Sequence, residues 1–196
     1  MQKIITETLA ALDCEFHHNE LAYLALTSKV EAPIRDRWAY SLYKQLNNYG
    51  ITVSREWKRT DLALIERGNP LALVELKAMY SFDAALDPNE VGGFTDAMAK
   101  DEVKAAKLAQ SNTSIYTVLL ATHPHKLVTD LSGVVKYDSG INKALLKFEG
   151  EQGVKSAALD AVDRKLAGKN VVAHGELCGG KAFNTAVSVI YWVIRA

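Results

Sequence analysis

Residues 71–80 read LALVELKAMY. The length, the apolar lead-in and the bounding turn residues are those of a buried strand. Yet the run carries Glu75 and Lys77. Ionisable groups in a buried strand are costly unless they are paired or bind a metal. Residues two apart on a strand share a face, so Glu75 and Lys77 stand side by side. Any fold for this chain must therefore bring a polar partner to that face.

The flanking sequence offers one. Ile51 to Arg59 alternates as a strand, with Ile51, Val53, Arg55 and Trp57 on one face. Asp61 to Ile65 and Leu71 to Lys77 are two further strands, and Glu66 to Pro70 (ERGNP) has the composition of a turn. The spacing predicts a three-stranded antiparallel meander over 51–80. A turn centred on Gly68 places Asp61 opposite Glu75 on one face, with β-carbons about 4.5–5.5 Å apart. Two carboxylates at that distance repel unless a proton or a cation lies between them. A hard divalent cation such as magnesium takes one or two carboxylates together with waters and phosphate oxygens. Lys77, one step along the same face, offsets part of the charge and can reach an oxygen of a bound group.

The rest of the chain predicts helices around this sheet. Residues 2–28 are helical in two pieces, broken near Asp13 to Asn19. Pro33 to Tyr49 is a helix with Ile34, Trp38, Leu42 and Leu46 as its apolar stripe, stopped by Gly50. Ser81 to Gly93 is expected as a loop, in which Gly92-Gly93 suits a mobile substrate-contacting segment but more simply an ordinary connection. Thr95 to Gln110 is a helix, Ser114 to Thr122 a buried strand, Asn142 to Phe148 and Val154 to Leu166 helices, and Val171 to His174 and Val187 to Ile194 the last strands. The fold class is α/β: a central mixed sheet with an antiparallel meander, flanked by helices. The whole, residues 1–196, is expected as a single domain. Its parts are an N-terminal helical extension (1–30), a core (31–122) and C-terminal helices and strands (123–196).

Lysine plus arginine equals aspartate plus glutamate, 23 each. That balance excludes an indiscriminate nucleic-acid coat and leaves selective binding through a local patch. Two cysteines, Cys14 and Cys178, form neither a disulfide framework nor a zinc site. They read as reduced, small apolar residues of a cytoplasmic protein. The first residues, MQKIITETLAAL, lack the apolar core of a secretory signal. No apolar stretch approaches the ~18 residues of a membrane span.

Other residues carry weaker chemistry. Arg55, Lys58 and Arg59 surround Trp57 just ahead of Asp61, a grouping that suits phosphate contact and base stacking, or equally an edge strand with snorkelling side chains. Lys100, Lys104 and Lys107 share one helix face and would line a DNA channel, although Asp96 and Asp101 are at hand as partners of a solvated face. Neither His17-His18 nor His123-Pro124-His125 has partners in sequence that complete a metal site. His174 reads as packed. Gly175, Gly179 and Gly180 do not follow a strand-to-helix phosphate-loop pattern, so no nucleotide cofactor is expected.

An acid at the start of one strand, a hairpin, and (D/E)-x-K ending the next strand resembles the PD-(D/E)XK nuclease superfamily, of restriction-endonuclease-like fold. The matching residues are Asp61 in RTDLALI and Glu75 and Lys77 in ALVELK. Thr60 stands where the signature has proline. The triplets Glu102-Val-Lys104 and Asp163-Arg-Lys165, of the same form, fall on polar helix faces. The resemblance implies a Mg2+-dependent endonuclease, with Mn2+ able to substitute, that hydrolyses DNA phosphodiester bonds in restriction or repair. Asp61 and Glu75 would ligate the metal and Lys77 would orient water or neutralise developing charge. Glu31 would join them from the preceding helix, where it equally suits a helix N-terminus. A homodimer would supply one site per DNA strand, with the apolar C-terminal segment or the N-terminal helices as its face. The alternative is a catalytically silent nuclease-like binding or assembly protein.

Overall fold

The computed structural model describes residues 1–129 and 133–196. A six-stranded mixed sheet has the order β1-β2-β3-β4-β6-β5. The strands are β1 (Ile51–Trp57), β2 (Thr60–Glu66), β3 (Asn69–Tyr80), β4 (Ser114–Pro124), β5 (Val171–Ala182) and β6 (Thr185–Arg195). Around them pack α1 (Gln2–Ala10), α2 (Glu20–Thr27), α3 (Glu31–Leu46), α4 (Ser81–Leu86), α5 (Glu90–Ala106), α6 (Asp138–Lys147) and α7 (Glu151–Leu166). The meander β1-β2-β3 is antiparallel, β3 and β4 run parallel, and β4-β6-β5 returns to antiparallel pairing. The parallel step needs a crossover, which α4 and α5 provide. Among the described residues no helix is long and apolar enough to cross a membrane.

The central strands explain their own composition. β3 and β4 are covered on both faces, so Leu71 to Met79 and Ile115 to Ala121 read as near-continuous apolar runs. One buried cluster reaches from Ile5 to Ile194 and gathers residues from the helical start, the meander and the C-terminal strands. Helix α3 anchors in it through Trp38, fully buried, whose indole N–H donates to the Thr8 hydroxyl of α1 at 2.8 Å. Seven residues earlier on the same helix, Glu31 stands in the first turn and faces the sheet.

Four expectations need correction. Residues 81–93 are not a loop: α4 starts at Ser81, where the Asp83 side chain accepts from the Tyr80 N–H at 2.8 Å, and Gly92-Gly93 lie inside α5. A β-carbon on Gly92 would make only an ordinary contact with the end of Lys165 at 3.7 Å, and one on Gly93 would meet nothing, so neither glycine is required by packing. β5 extends far past His174, through Gly175, Gly179 and Gly180. A β-carbon on Gly175 would collide with the Tyr191 hydroxyl across the ladder, and Gly180 (φ +83°) sits at a register shift against Asn19. The C-terminal segment is no dimer face, because β6 is an interior strand between β4 and β5 and its residues from Val187 to Ile194 are buried. Cys14 and Cys178 are both exposed rather than packed.

Trp38→Ala should remove the indole bond and leave a large cavity beneath the site helix. We expect a loss of about 3–5 kcal/mol in unfolding free energy, read as a lower urea midpoint at unchanged slope.

Candidate active site

The turn between β2 and β3 is built on Arg67 (φ 49°) and Gly68 (φ +84°), both left-handed, as a two-residue hairpin loop requires. It pairs Glu66 with Asn69 and Ile65 with Pro70. Continued without interruption, that register would set Asp61 opposite Val74 and send Glu75 to the other face. A bulge between Leu64 and Ile65 intervenes, with Leu71 the extra residue, and from there Leu64 pairs with Ala72 and Leu62 with Val74. One further step opposes Asp61 to Glu75. The bulge, not the turn, is what turns the two acids to one face.

Beyond Val74, β3 outruns its neighbour. Its far edge stays paired with β4 through Tyr80, but on the near side no strand accompanies it. The N–H groups of Leu76, Ala78 and Tyr80 therefore face away from β4 with no backbone acceptor. Each donates to a carboxylate instead: Leu76 to Asp61 Oδ2 at 2.8 Å, Ala78 to Glu31 Oε1 at 2.7 Å and Tyr80 to Asp83 Oδ2 at 2.8 Å. Three acids from β2, α3 and α4 take the place of a missing strand. For Asp61 and Glu31 this fixes one oxygen and leaves the other to bind something else.

Glu75 is 7 % exposed. Burial, the charges of Asp61 and Asp101, and a hydrogen bond with Asp61 push its pKa up to about 8, against the pull of Lys77. The Glu75 carboxyl thus favours its protonated form far more than an ordinary glutamate does, with Asp61 beside it as the acceptor. Lys77 reaches Asp101 Oδ2 at 2.6 Å, and Lys104 reaches Asp101 Oδ1 at 2.6 Å. Burial works to lower the Lys77 pKa, but the Asp101 hydrogen bond and the charges of Asp101, Glu31 and Asp61 outweigh it and raise the value. Lys77 is accordingly a fixed ammonium: it donates and neutralises, and it cannot serve as a base. Burial acts to raise the Asp101 pKa, and the two lysines more than reverse that, holding it below the usual carboxylate range.

Asp101 was expected only as a partner of surface lysines. The structure brings it into the site, 9 % exposed. Arg35 was missed as well. One turn after Glu31, its Nη1 lies 3.8 Å from Asp61 Oδ1 and also pairs with Glu56, while its Nε donates to Asp36 at 2.9 Å. The helical spacing of Glu31 and Arg35 was the available signal. Glu31 and Lys77 also line an open cleft of about 730 Å³, with Lys29, Asn89 and Phe94 on its other walls. Asp61 and Glu75 are not among the residues lining it, so Glu31 and Lys77 are the groups that join cleft and acid pair.

The expected DNA-contacting residues divide. Arg55 is tied to Asp36 at 3.0 Å and Lys104 to Asp101. Lys58 and Arg59 are exposed at the tip of the β1–β2 hairpin, directly before β2, with Lys58 stacked 4.5 Å over the Trp57 ring. Lys100 is exposed on α5.

The histidine pair at the end of β4, His123 within the strand and His125 just past it, gains a partner that sequence proximity does not reveal. His123 Nε2 lies 3.3 Å from Glu151 Oε2 on α7, and His123 Nδ1 lies 2.9 Å from the Ser81 hydroxyl. A serine–histidine–acid line is not a nucleophile site here, since Ser81 and His123 are both 0 % exposed. Compared with protein-family models, curated proteins and solved structures, the chain matches none.

The Glu75 shift sets a pH dependence for the metal-free protein. A carboxyl raised from 4.5 to about 8 on folding contributes stability that is full below the unfolded pKa and is lost as pH rises through the folded one. We expect the melting temperature to fall between pH 4.5 and pH 8 more steeply in the wild type than in Glu75→Gln. Equal slopes in the two proteins would refute the raised Glu75 pKa.

Proposed function

We propose that this chain is a Mg2+-dependent endonuclease of the PD-(D/E)XK kind acting on DNA. The observation that carries the reading is the meeting of Asp61 and Glu75 across a hairpin, beside Glu31 and the Lys77 ammonium. The donor set fits the ion: all oxygens, with Asp61 raising the Glu75 pKa where a cation would otherwise balance the charge. When bound, magnesium would polarise the scissile phosphate and acidify a water.

The chain's own residues do the rest. The Leu76 and Ala78 N–H groups hold Asp61 and Glu31 in place, so that their second oxygens are presented without a search through rotamers. Glu75 supplies a carboxylate once its proton is displaced. Lys77, kept charged by Asp101, donates to a phosphate oxygen or to the attacking water and offsets charge that grows in the transition state. The cleft lined by Lys29, Glu31, Lys77 and Phe94 has the volume to receive a nucleotide. Lys58 (φ 51°) and Arg59 (φ 72°) occupy left-handed backbone positions at the hairpin tip, where long side chains are strained by about 1–3 kcal/mol each and asparagine or glycine would be relaxed. Two cations at such positions, next to Asp61, support a phosphate-contacting role. Cleavage of both strands calls for two copies, hence a homodimer.

A second reading, a nuclease-like binding or assembly protein without catalysis, draws support from the same hydrogen bonds. Asp61 and Glu31 cap β3 and Lys77 is held by Asp101, so each has a structural use.

The assay is cleavage of plasmid and single-stranded DNA with Mg2+ or Mn2+, comparing wild type with Asp61→Asn and Lys77→Ala. Asparagine keeps an oxygen for the Leu76 N–H and removes the charge. We expect wild-type cleavage and a loss of at least about 100-fold in each variant. An inert wild type that binds DNA as well as both variants would establish the binding protein instead.

A further inference from the structure

The end of β4 points to a second, chemically different metal centre. We propose that His123, His125 and Glu151 bind a single zinc-class dication, independently of the acid cluster around Asp61. The ligand atoms of these three side chains lie within 4.8 Å of one another. His123 is the last residue but one of β4 and His125 follows directly after its end, their rings 5.2 Å apart, and Glu151 reaches them from the first turn of α7. Two atoms bound tetrahedrally at about 2.0–2.1 Å stand roughly 3.3–3.4 Å apart. His123 Nε2 and Glu151 Oε2 are already at 3.3 Å.

The surroundings are those of ligands held in advance. The Ser81 hydroxyl takes the other ring nitrogen of His123 at 2.9 Å, which directs Nε2 toward Glu151. The Ser188 hydroxyl, opposite His123 on β6, bonds His125 Nε2 at 3.2 Å. Lys155, whose charge acts on His123, is paired with Glu176 at 2.5 Å. His123 is fully buried, while His125 and Glu151 are partly exposed and leave an approach from solvent. Two imidazoles and one carboxylate select zinc, cobalt or nickel over magnesium, and three protein ligands leave a fourth position for water. Bound there, the ion would fasten the end of β4 to the start of α7.

The probe is cobalt(II), added to the full-length protein after chelator treatment, with zinc(II) as competitor. We expect one equivalent of cobalt to give tetrahedral visible bands that zinc abolishes, and zinc to raise the melting temperature. His125→Ala and Glu151→Gln should each weaken binding by at least about 10-fold, whereas Asp61→Asn should leave it unchanged. Should His125→Ala fail to fold, Glu151→Gln, altered at a partly exposed side chain, decides the matter alone. No cobalt bands in the wild type, equal affinity in Glu151→Gln, or loss of binding in Asp61→Asn would each overturn the proposal. The last result would place the ion among the acids of β2 and β3.

Discussion

A strand that runs on after its neighbour has ended must still satisfy its amides. Buried N–H groups without acceptors cost about 1–3 kcal/mol each, and β3 has a row of them facing the gap beyond Val74. Backbone from β2 would have closed the gap uneventfully. Instead Asp61, Glu31 and Asp83 close it, and this choice concentrates acid side chains along one strand edge. The raised pKa of Glu75, the charged state of Lys77 and the recruitment of Asp101 and Arg35 all follow from that concentration. Repulsion among the acids is relieved by one proton, two lysines and an arginine.

Much of this was legible in the chain. Apolar runs with β-branched residues gave the interior strands, because periodicity and burial are local properties. The α3 stripe gave Trp38 its place for the same reason. The facing of Asp61 and Glu75 was anticipated on the assumption of a symmetric turn at Gly68. The outcome is the expected one by a different route: the turn is a two-residue loop and the bulge at Leu71 corrects the register. A bulge leaves little trace in sequence, since it replaces one paired residue by two without changing composition.

What stayed hidden depended on distance or on glycine. Arg35 and Asp101 enter the site only once α3 and α5 are folded against β3, and the one local signal was the helical spacing of Arg35 from Glu31. Glu151 stands 28 residues from His123, so the two histidines read as partnerless until α7 packs. Gly92-Gly93 suggested a loop but lies in α5, where packing of Val91 and Met98 outweighs a cost of about 1 kcal/mol per glycine. The predicted strand stopped at His174, yet β5 runs on through Gly175 and Gly180, which serve its close approach to Tyr191 and Asn19.

The pinning of carboxylates to alternate amides of β3 has a geometric result. Same-side amides on a strand repeat every ~6.6–6.8 Å, so the backbone itself acts as a ruler that spaces the acids. Their placement is then insensitive to which element delivers them: a short side chain from β2 and a longer one from α3 arrive at successive marks on one scale. An acid moved to another nearby position would occupy the same mark, provided its side chain could still reach that amide.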